Sequence, residues 1–189
     1  MLSLSPRAHV DAFVHTEGVV LGSRYVPLEL TYRDRLGYET TFRINSPVSF
    51  QEARAAHLHV RPEAIMLTSH GVPYHETLRF LQDRFHLLQQ RSREPVVFGY
   101  KGESYQPNVL RDAGIPKILN VEQLGVPAIR VLQQKYGHAV GGGTPCPHHM
   151  SPRRNKCSRA VARLVLMDMV QQEGVLLLET GDPGHQLQH

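Results

Sequence analysis

The chain is poor in the residues that staple, span and stack. It holds two cysteines in 189 residues, no tryptophan and 7% aromatic residues. Two cysteines exclude a disulfide-framed scaffold, which needs at least two bridges. No apolar run approaches the ~20 residues required to cross a bilayer, so no membrane partner is expected. The opening MLSLSPRAHV lacks the unbroken apolar stretch of about 7–15 residues that forms a signal-peptide core. The expectation is an intracellular protein, cytoplasmic or nuclear and not secreted, whose thiols stay reduced. Neither a Gly-Lys-Ser/Thr phosphate loop nor a Gly-x-Ser-x-Gly elbow occurs, so nucleotide hydrolases and serine esterases have no support. The net charge of +4 permits nucleic-acid binding without demanding it.

What is present is concentrated. Both cysteines fall in one cluster, Cys146, His149 and Cys157, spaced C-x2-H-x7-C. Two thiolates and an imidazole are a zinc-type ligand set. Cys146 lies in a Gly/Pro loop (GGGTPCPHH), and Cys157 opens a strong helical pattern whose first-turn N–H groups favour a thiolate. His148 is adjacent and rivals His149. Three ligands leave one tetrahedral corner for another residue, or for water in a catalytic site. A disulfide and two unrelated thiols are the simpler readings; neither accounts for a histidine at ligand spacing.

Hydropathy patterning predicts an α/β chain. Strands at 9–17, 24–32 and 38–44 alternate and form an antiparallel meander around the turn at Gly37. In the first, Val10, Ala12 and Val14 face inward and Phe13, His15 and Glu17 face outward. In the second, Val26, Leu28, Leu30 and Tyr32 face inward, with Glu29 and Thr31 outward. A helix over 74–91 carries Leu78, Leu81, Phe85 and Leu88 on one stripe. Then come a buried strand at 95–100, a helix at 104–113, a strand at 117–121, a helix at 126–136 and a last helix at 154–172. The domain plan is an N-terminal extension (1–8), one domain (9–172) and a flexible tail (173–189). A three-stranded meander followed by β/α units is the plan of the ribonuclease H-like fold, a mixed sheet with helices on both faces.

The segment FVHTEG (13–18) resembles the first motif of the DnaQ-like (DEDD) 3′–5′ exonucleases, Asp-x-Glu-Gly after an apolar strand. Glu17 occupies the Glu position and His15 that of the leading Asp. Imidazole is a poor magnesium ligand, so the two-metal machinery looks broken at its first residue. The late C-x2-H-x7-C cluster resembles the Maelstrom domain, a DnaQ-like fold without the acidic cluster, over roughly residues 9–172. Zinc-modified DnaQ-like proteins outside that family fit the same pattern. The resemblance implies one structural zinc held by Glu17, Cys146, His149 and Cys157, with Glu29 as a possible substitute for Glu17. A filled fourth corner would make the ion a clamp between the last helix and the sheet.

A two-metal nuclease would need further acids, of which Asp112 and Asp168 are the best placed. Asp168 stands eleven residues after Cys157, ~16 Å along a helix axis, too far to share a site. The preceding ARLVLM holds no His or Tyr, and Asp168 is expected to be a partly exposed helix residue. Arg153, Arg154, Lys156, Arg159 and Arg163 flank Cys157 without an acid among them. Lys156, Arg159 and Arg163 share a helix face, either a phosphate-tracking stripe or a solvated surface. Lys101, in GYKGES between a strand and a helix, could meet a phosphate, and Tyr100 and Tyr105 could stack on bases. The resemblance implies binding to single-stranded nucleic acid, RNA favoured, with RNA cleavage shown by some Maelstrom domains. The competing expectations are an active metal-dependent exonuclease or ribonuclease, and a scaffold for protein partners.

Overall fold

The computed structural model describes residues 9–21, 23–45, 51, 71–102, 105–141 and 158–179. Its elements are β1 (Ala12–Leu21), β2 (Arg24–Asp34), β3 (Glu39–Asn45), β4 (Val72–Pro73), α1 (Tyr74–Gln90), β5 (Phe98–Tyr100), α2 (Gln106–Asp112), β6 (Ile118–Asn120), a 3-10 turn (Val121–Leu124), α3 (Ile129–Gly141) and α4 (Ser158–Glu179). The six-stranded sheet has the order β4-β3-β2-β1-β5-β6. The expected meander is present: β1 pairs antiparallel with β2, and β2 with β3. On the other side of β1, β5 and β6 add in parallel. The fold is therefore α/β with a mixed sheet.

Helices cover both faces. On one, Ala12, Val14, Leu30 and Tyr32 pack with Leu81 and Leu88 of α1 and Val109 and Leu110 of α2. On the other, Phe13 packs with Leu132 and Tyr136 of α3 and Val161, Leu164 and Val165 of α4. This double cover corrects the assignment of outward faces. Phe13 is wholly buried, and so nearly are His15, Glu29 and Thr31. Alternation marks two faces of a strand; only helix packing decides whether the second meets solvent.

Local chemistry sets the punctuation. Asp34 Oδ1 accepts the N–H groups of Leu36 (3.0 Å) and Tyr38 (3.1 Å), and Gly37 supplies the positive φ of 85° that closes the β2–β3 turn. The stripe predicted for α1 buries Leu81 and Leu88 completely, at ~1.5–3 kcal/mol per side chain. Strand β6 ends before Val121 because the Asn120 side chain accepts the Glu122 N–H (3.1 Å) and starts the 3-10 turn. That turn reaches Val126, whose N–H meets the Val121 carbonyl, so α3 begins at Ile129 rather than 126. It continues through Gly137, where a stop was expected: packing on α4 offsets the ~1 kcal/mol helix penalty of one glycine. Helix α4 starts at Ser158 and runs past 172 to Glu179.

One irregularity places a face. The β1–β2 register steps from Glu17↔Glu29 to Gly18↔Pro27, making Leu28 the extra residue of a β-bulge. The step reverses side-chain parity, so Val26 and Leu28 do not continue the Leu30 and Tyr32 face. Tyr25 turns instead toward α2. Its ring stacks on Tyr105 (5.2 Å between centroids), and its hydroxyl meets Thr16 Oγ1 at 3.1 Å. No helix among the described residues is long and apolar enough to cross a membrane.

Candidate functional site

The sheet face beneath α4 carries the polar residues. His15 and Glu17 of β1, Glu29 and Thr31 of β2, and Thr41 and Arg43 of β3 share this face, with His15↔Thr31↔Thr41 and Glu17↔Glu29↔Arg43 as cross-strand partners. The start of α4 sits on them. Ser158, buried completely, donates its backbone N–H to Glu29 Oε1 (3.1 Å) and its hydroxyl to the same oxygen. A carboxylate there satisfies an orphan N–H and complements the positive end of a 22-residue helix.

That bond orders the whole chain of hydroxyls. Ser158 has one hydroxyl hydrogen and gives it to Glu29, so Thr31 must donate across the 2.7 Å contact to Ser158 Oγ. Thr41 must then donate to Thr31 Oγ1, 2.9 Å away. The relay Thr41→Thr31→Ser158→Glu29 ties the register of two strands, β2 and β3, to the first residue of α4. Sequence reasoning found Glu29 only as a substitute and missed Ser158, Thr31 and Thr41. The available signal was a serine directly after Cys157 and two threonines at same-face positions of neighbouring strands.

Beside the relay, His15 Nε2 lies 3.3 Å from Glu17 Oε1. The histidine is buried and its Nδ1 has no partner among the described residues, while the Glu17 side chain is 41% exposed. Zinc accepts imidazole and carboxylate donors together and magnesium favours oxygen alone, so this pair suits the softer ion. Cys146, His149 and Cys157 lie outside the described residues, as do Arg153, Arg154 and Lys156. Among the described residues no group of three His, Cys, Asp or Glu side chains could hold a metal.

The remaining acids do not join Glu17. Asp112, on α2, sits across the sheet and accepts the Tyr74 hydroxyl at 2.6 Å. Asp168 is 1% exposed, not the partly exposed residue expected. It lies between α3 and α4, where Lys135 Nζ (3.0 Å) and the Tyr136 hydroxyl (2.9 Å) reach its Oδ1. Helix periodicity could not reveal this, because the burial comes from a neighbouring helix.

Of the basic residues, Arg159 and Arg163 stand one turn apart on α4 and both reach Glu39 Oε1, each at 3.1 Å. Arg33 of β2 reaches Glu39 Oε2 at 3.2 Å. Three guanidinium groups thus surround one carboxylate, each with roughly a third or more of its side chain exposed. Partial burial pushes the Glu39 carboxyl up, but Arg163 and Arg159 outweigh it and hold the group below the usual range. Lys101 is placed elsewhere. It is 4% exposed, with Nζ 2.7 Å from Glu122 Oε1 and 3.4 Å from the Val126 carbonyl. The Lys101 hydrogen bond is the main reason the Glu122 carboxyl is held below its usual value. The buried ammonium thus braces the 3-10 turn. Tyr105 stacks on Tyr25, and Tyr100 packs on the core of the α1–α2 face.

No protein-family model matches the chain, and no curated protein matches it in sequence.

Proposed function

We propose that this chain is a ribonuclease H-like domain of the DnaQ type that has lost its two-metal chemistry and binds single-stranded nucleic acid, RNA favoured. The observation that carries the reading is the surplus of positive charge around Glu39. Arg33, Arg159 and Arg163 bring three cations to one anion on a partly exposed surface, leaving two to attract phosphates. The sheet order, with β1 between an antiparallel meander and parallel β5 and β6, supports the fold assignment. The separation of Glu17, Asp112 and Asp168 argues against a site that gathers four acids.

A structural zinc held by Glu17, Cys146, His149 and Cys157 is part of the proposal. Supporting it, Ser158, one peptide bond from Cys157, is anchored to Glu29, the cross-strand partner of Glu17. Zinc held there would clamp the start of α4 to β1, adding to the relay through Glu29. Metal analysis tests this part: one zinc per chain, lost in Cys157→Ser and Glu17→Gln, is the expected result.

The binding part is tested with a single-stranded oligoribonucleotide titrated at several salt concentrations. Each lost phosphate contact lowers the log–log salt slope by ~0.7 for a single strand, so the pair Arg159→Glu and Arg163→Glu is expected to flatten it by about 1.4. Absence of salt-sensitive binding, or a slope untouched by the two reversals, would sink the proposal.

A further inference from the structure

The opposite face of the sheet holds a cleft that the α4 surface does not use. It has a volume of about 430 Å³ and opens where β2 begins, β3 ends, and α1 and α2 approach each other. Small-molecule sites run from ~300 to 1,000 Å³, so the cleft accommodates one planar heterocycle with an attached sugar. Ile44 and Val109 form its apolar floor, and Tyr25 and Tyr74 contribute aromatic walls. The β-bulge at Leu28 brings Tyr25 to this side. Burial holds both phenols well above their usual range, so they stay protonated and uncharged at neutral pH.

The polar groups at the rim are of mixed type. Asn45 and Asn108 each offer a donor and an acceptor, and no hydrogen bond engages either amide among the described residues. Arg24 is exposed at the mouth, without an ion-pair partner among the described residues. Asp112 lies opposite and accepts from the Tyr74 hydroxyl. Two amides matched to a donor–acceptor edge, aromatic walls and one cation at the opening describe a specific ligand chemistry. An amide reads a base edge in pairs of hydrogen bonds, a tyrosine ring stacks on its face, and a guanidinium takes a phosphate. A simple anion would leave the amides and the aromatic walls without a role, and an organic cation would be repelled by Arg24 at the mouth.

We propose that this cleft is a binding site for a single nucleobase carried on a phosphorylated ribose, with Asn45 and Asn108 reading the base edge and Arg24 the phosphate. The base could arrive as a free mononucleotide or as one nucleotide of a strand. The second source rests on the nucleic-acid reading above; the pocket itself does not.

The test uses the full chain and the four ribonucleoside 5′-monophosphates, followed by calorimetry or ligand-observed NMR, with ribose 5-phosphate as the base-free control. Saturable binding of at least one monophosphate is expected, with ribose 5-phosphate at least tenfold weaker. Asn108→Ala and Arg24→Ala, at a half-buried and an exposed position, are each expected to weaken binding about tenfold with the melting temperature unchanged. Tyr25 is avoided as a test position because its bond to Thr16 and its stack on Tyr105 support the fold. Equal binding of ribose 5-phosphate would reduce the site to an anion contact and overturn the proposal. So would the absence of monophosphate binding, or affinities unmoved by Asn108→Ala. Competition separates the sources: displacement of a single strand by the monophosphate identifies a strand nucleotide as occupant, and binding without displacement identifies the free nucleotide. Charge reversal at Arg159 and Arg163 is expected to leave monophosphate binding intact, so failure of the strand reading and failure of the pocket give different results.

Discussion

Replacing Ser158 with alanine tests the relay at its centre. The variant keeps the backbone N–H bond to Glu29 but removes a buried hydroxyl that both donates and accepts. The donation goes to a carboxylate, a class of bond worth ~1.5–3 kcal/mol net, and its loss turns the buried Thr31 hydroxyl back onto Thr41 Oγ1, 2.9 Å away. Against this, alanine has the better intrinsic helix propensity, by a few tenths of a kcal/mol. The expected cost is about 1.5–2.5 kcal/mol. For a chain of this length 1 kcal/mol moves the midpoint by ~2–4 °C, so thermal unfolding followed by circular dichroism should shift down by about 3–10 °C. The direction of the relay adds a second constraint. Thr41 stands at the donor end and is only half-buried, so Thr41→Val leaves one acceptor lone pair unfilled and costs less, ~1 kcal/mol. A double-mutant cycle joining Ser158→Ala to Glu29→Gln should show coupling of ~1 kcal/mol or more. A shift under about 1 °C for Ser158→Ala, or a cost for Thr41→Val equal to it, would refute the assigned order of donors.

Three further variants probe other parts of the fold. Glu39→Gln should tighten single-strand binding at low salt by about 0.5–1 kcal/mol, the size of an exposed charge pair, because it removes the anion that three arginines share. Its stability effect has a defined pH sense. The folded Glu39 carboxyl is held below its usual value, so its contribution is present above the unfolded carboxyl range, ~4.3, and is lost as pH falls through the lower folded value. Melting curves of wild type and Glu39→Gln should therefore differ near neutrality and converge in acid. Lys101→Ala should destabilise by about 1–2 kcal/mol, since Glu122 can rehydrate but the Val126 carbonyl loses its donor; the salt dependence of strand binding should not change. Gly99→Ala should cost about 1–3 kcal/mol by urea unfolding, because a Cβ there would meet Val10 Cγ1 at 2.7 Å and Val121 Cγ1 at 3.0 Å.

Much of the α/β architecture was legible from local chemistry. Alternation located β1 to β3, the stripe Leu78, Leu81, Phe85 and Leu88 located α1, and short apolar runs located β5 and β6. These are properties of neighbours in sequence, and a period of 2 or 3.6 reports them directly. The boundaries that slipped did so where a long-range or capping contact took over. Strand β6 stops at a bond from the Glu122 N–H to Asn120, and α3 runs through Gly137 because α4 packs along it. The register step at Leu28 left no local trace, yet it decides which face Tyr25 presents.

For the candidate site the division is sharper. Residue type and spacing alone single out the C-x2-H-x7-C set, the FVHTEG strand end and the basic run around Cys157, because ligand chemistry and charge belong to the side chains themselves. Whether a polar side chain faces water does not belong to it. His15, Glu29, Thr31 and Asp168 all sit at positions where periodicity suggests partial or full exposure, and all are buried because a helix distant in sequence lies over them. Lys101 and the two α4 arginines look alike in composition; one braces a turn inside the molecule while the others surround Glu39 at its surface. A residue's chemistry is written in its own atoms, whereas its dielectric surroundings and partners are set by chain segments that come together only when both faces of the sheet are covered.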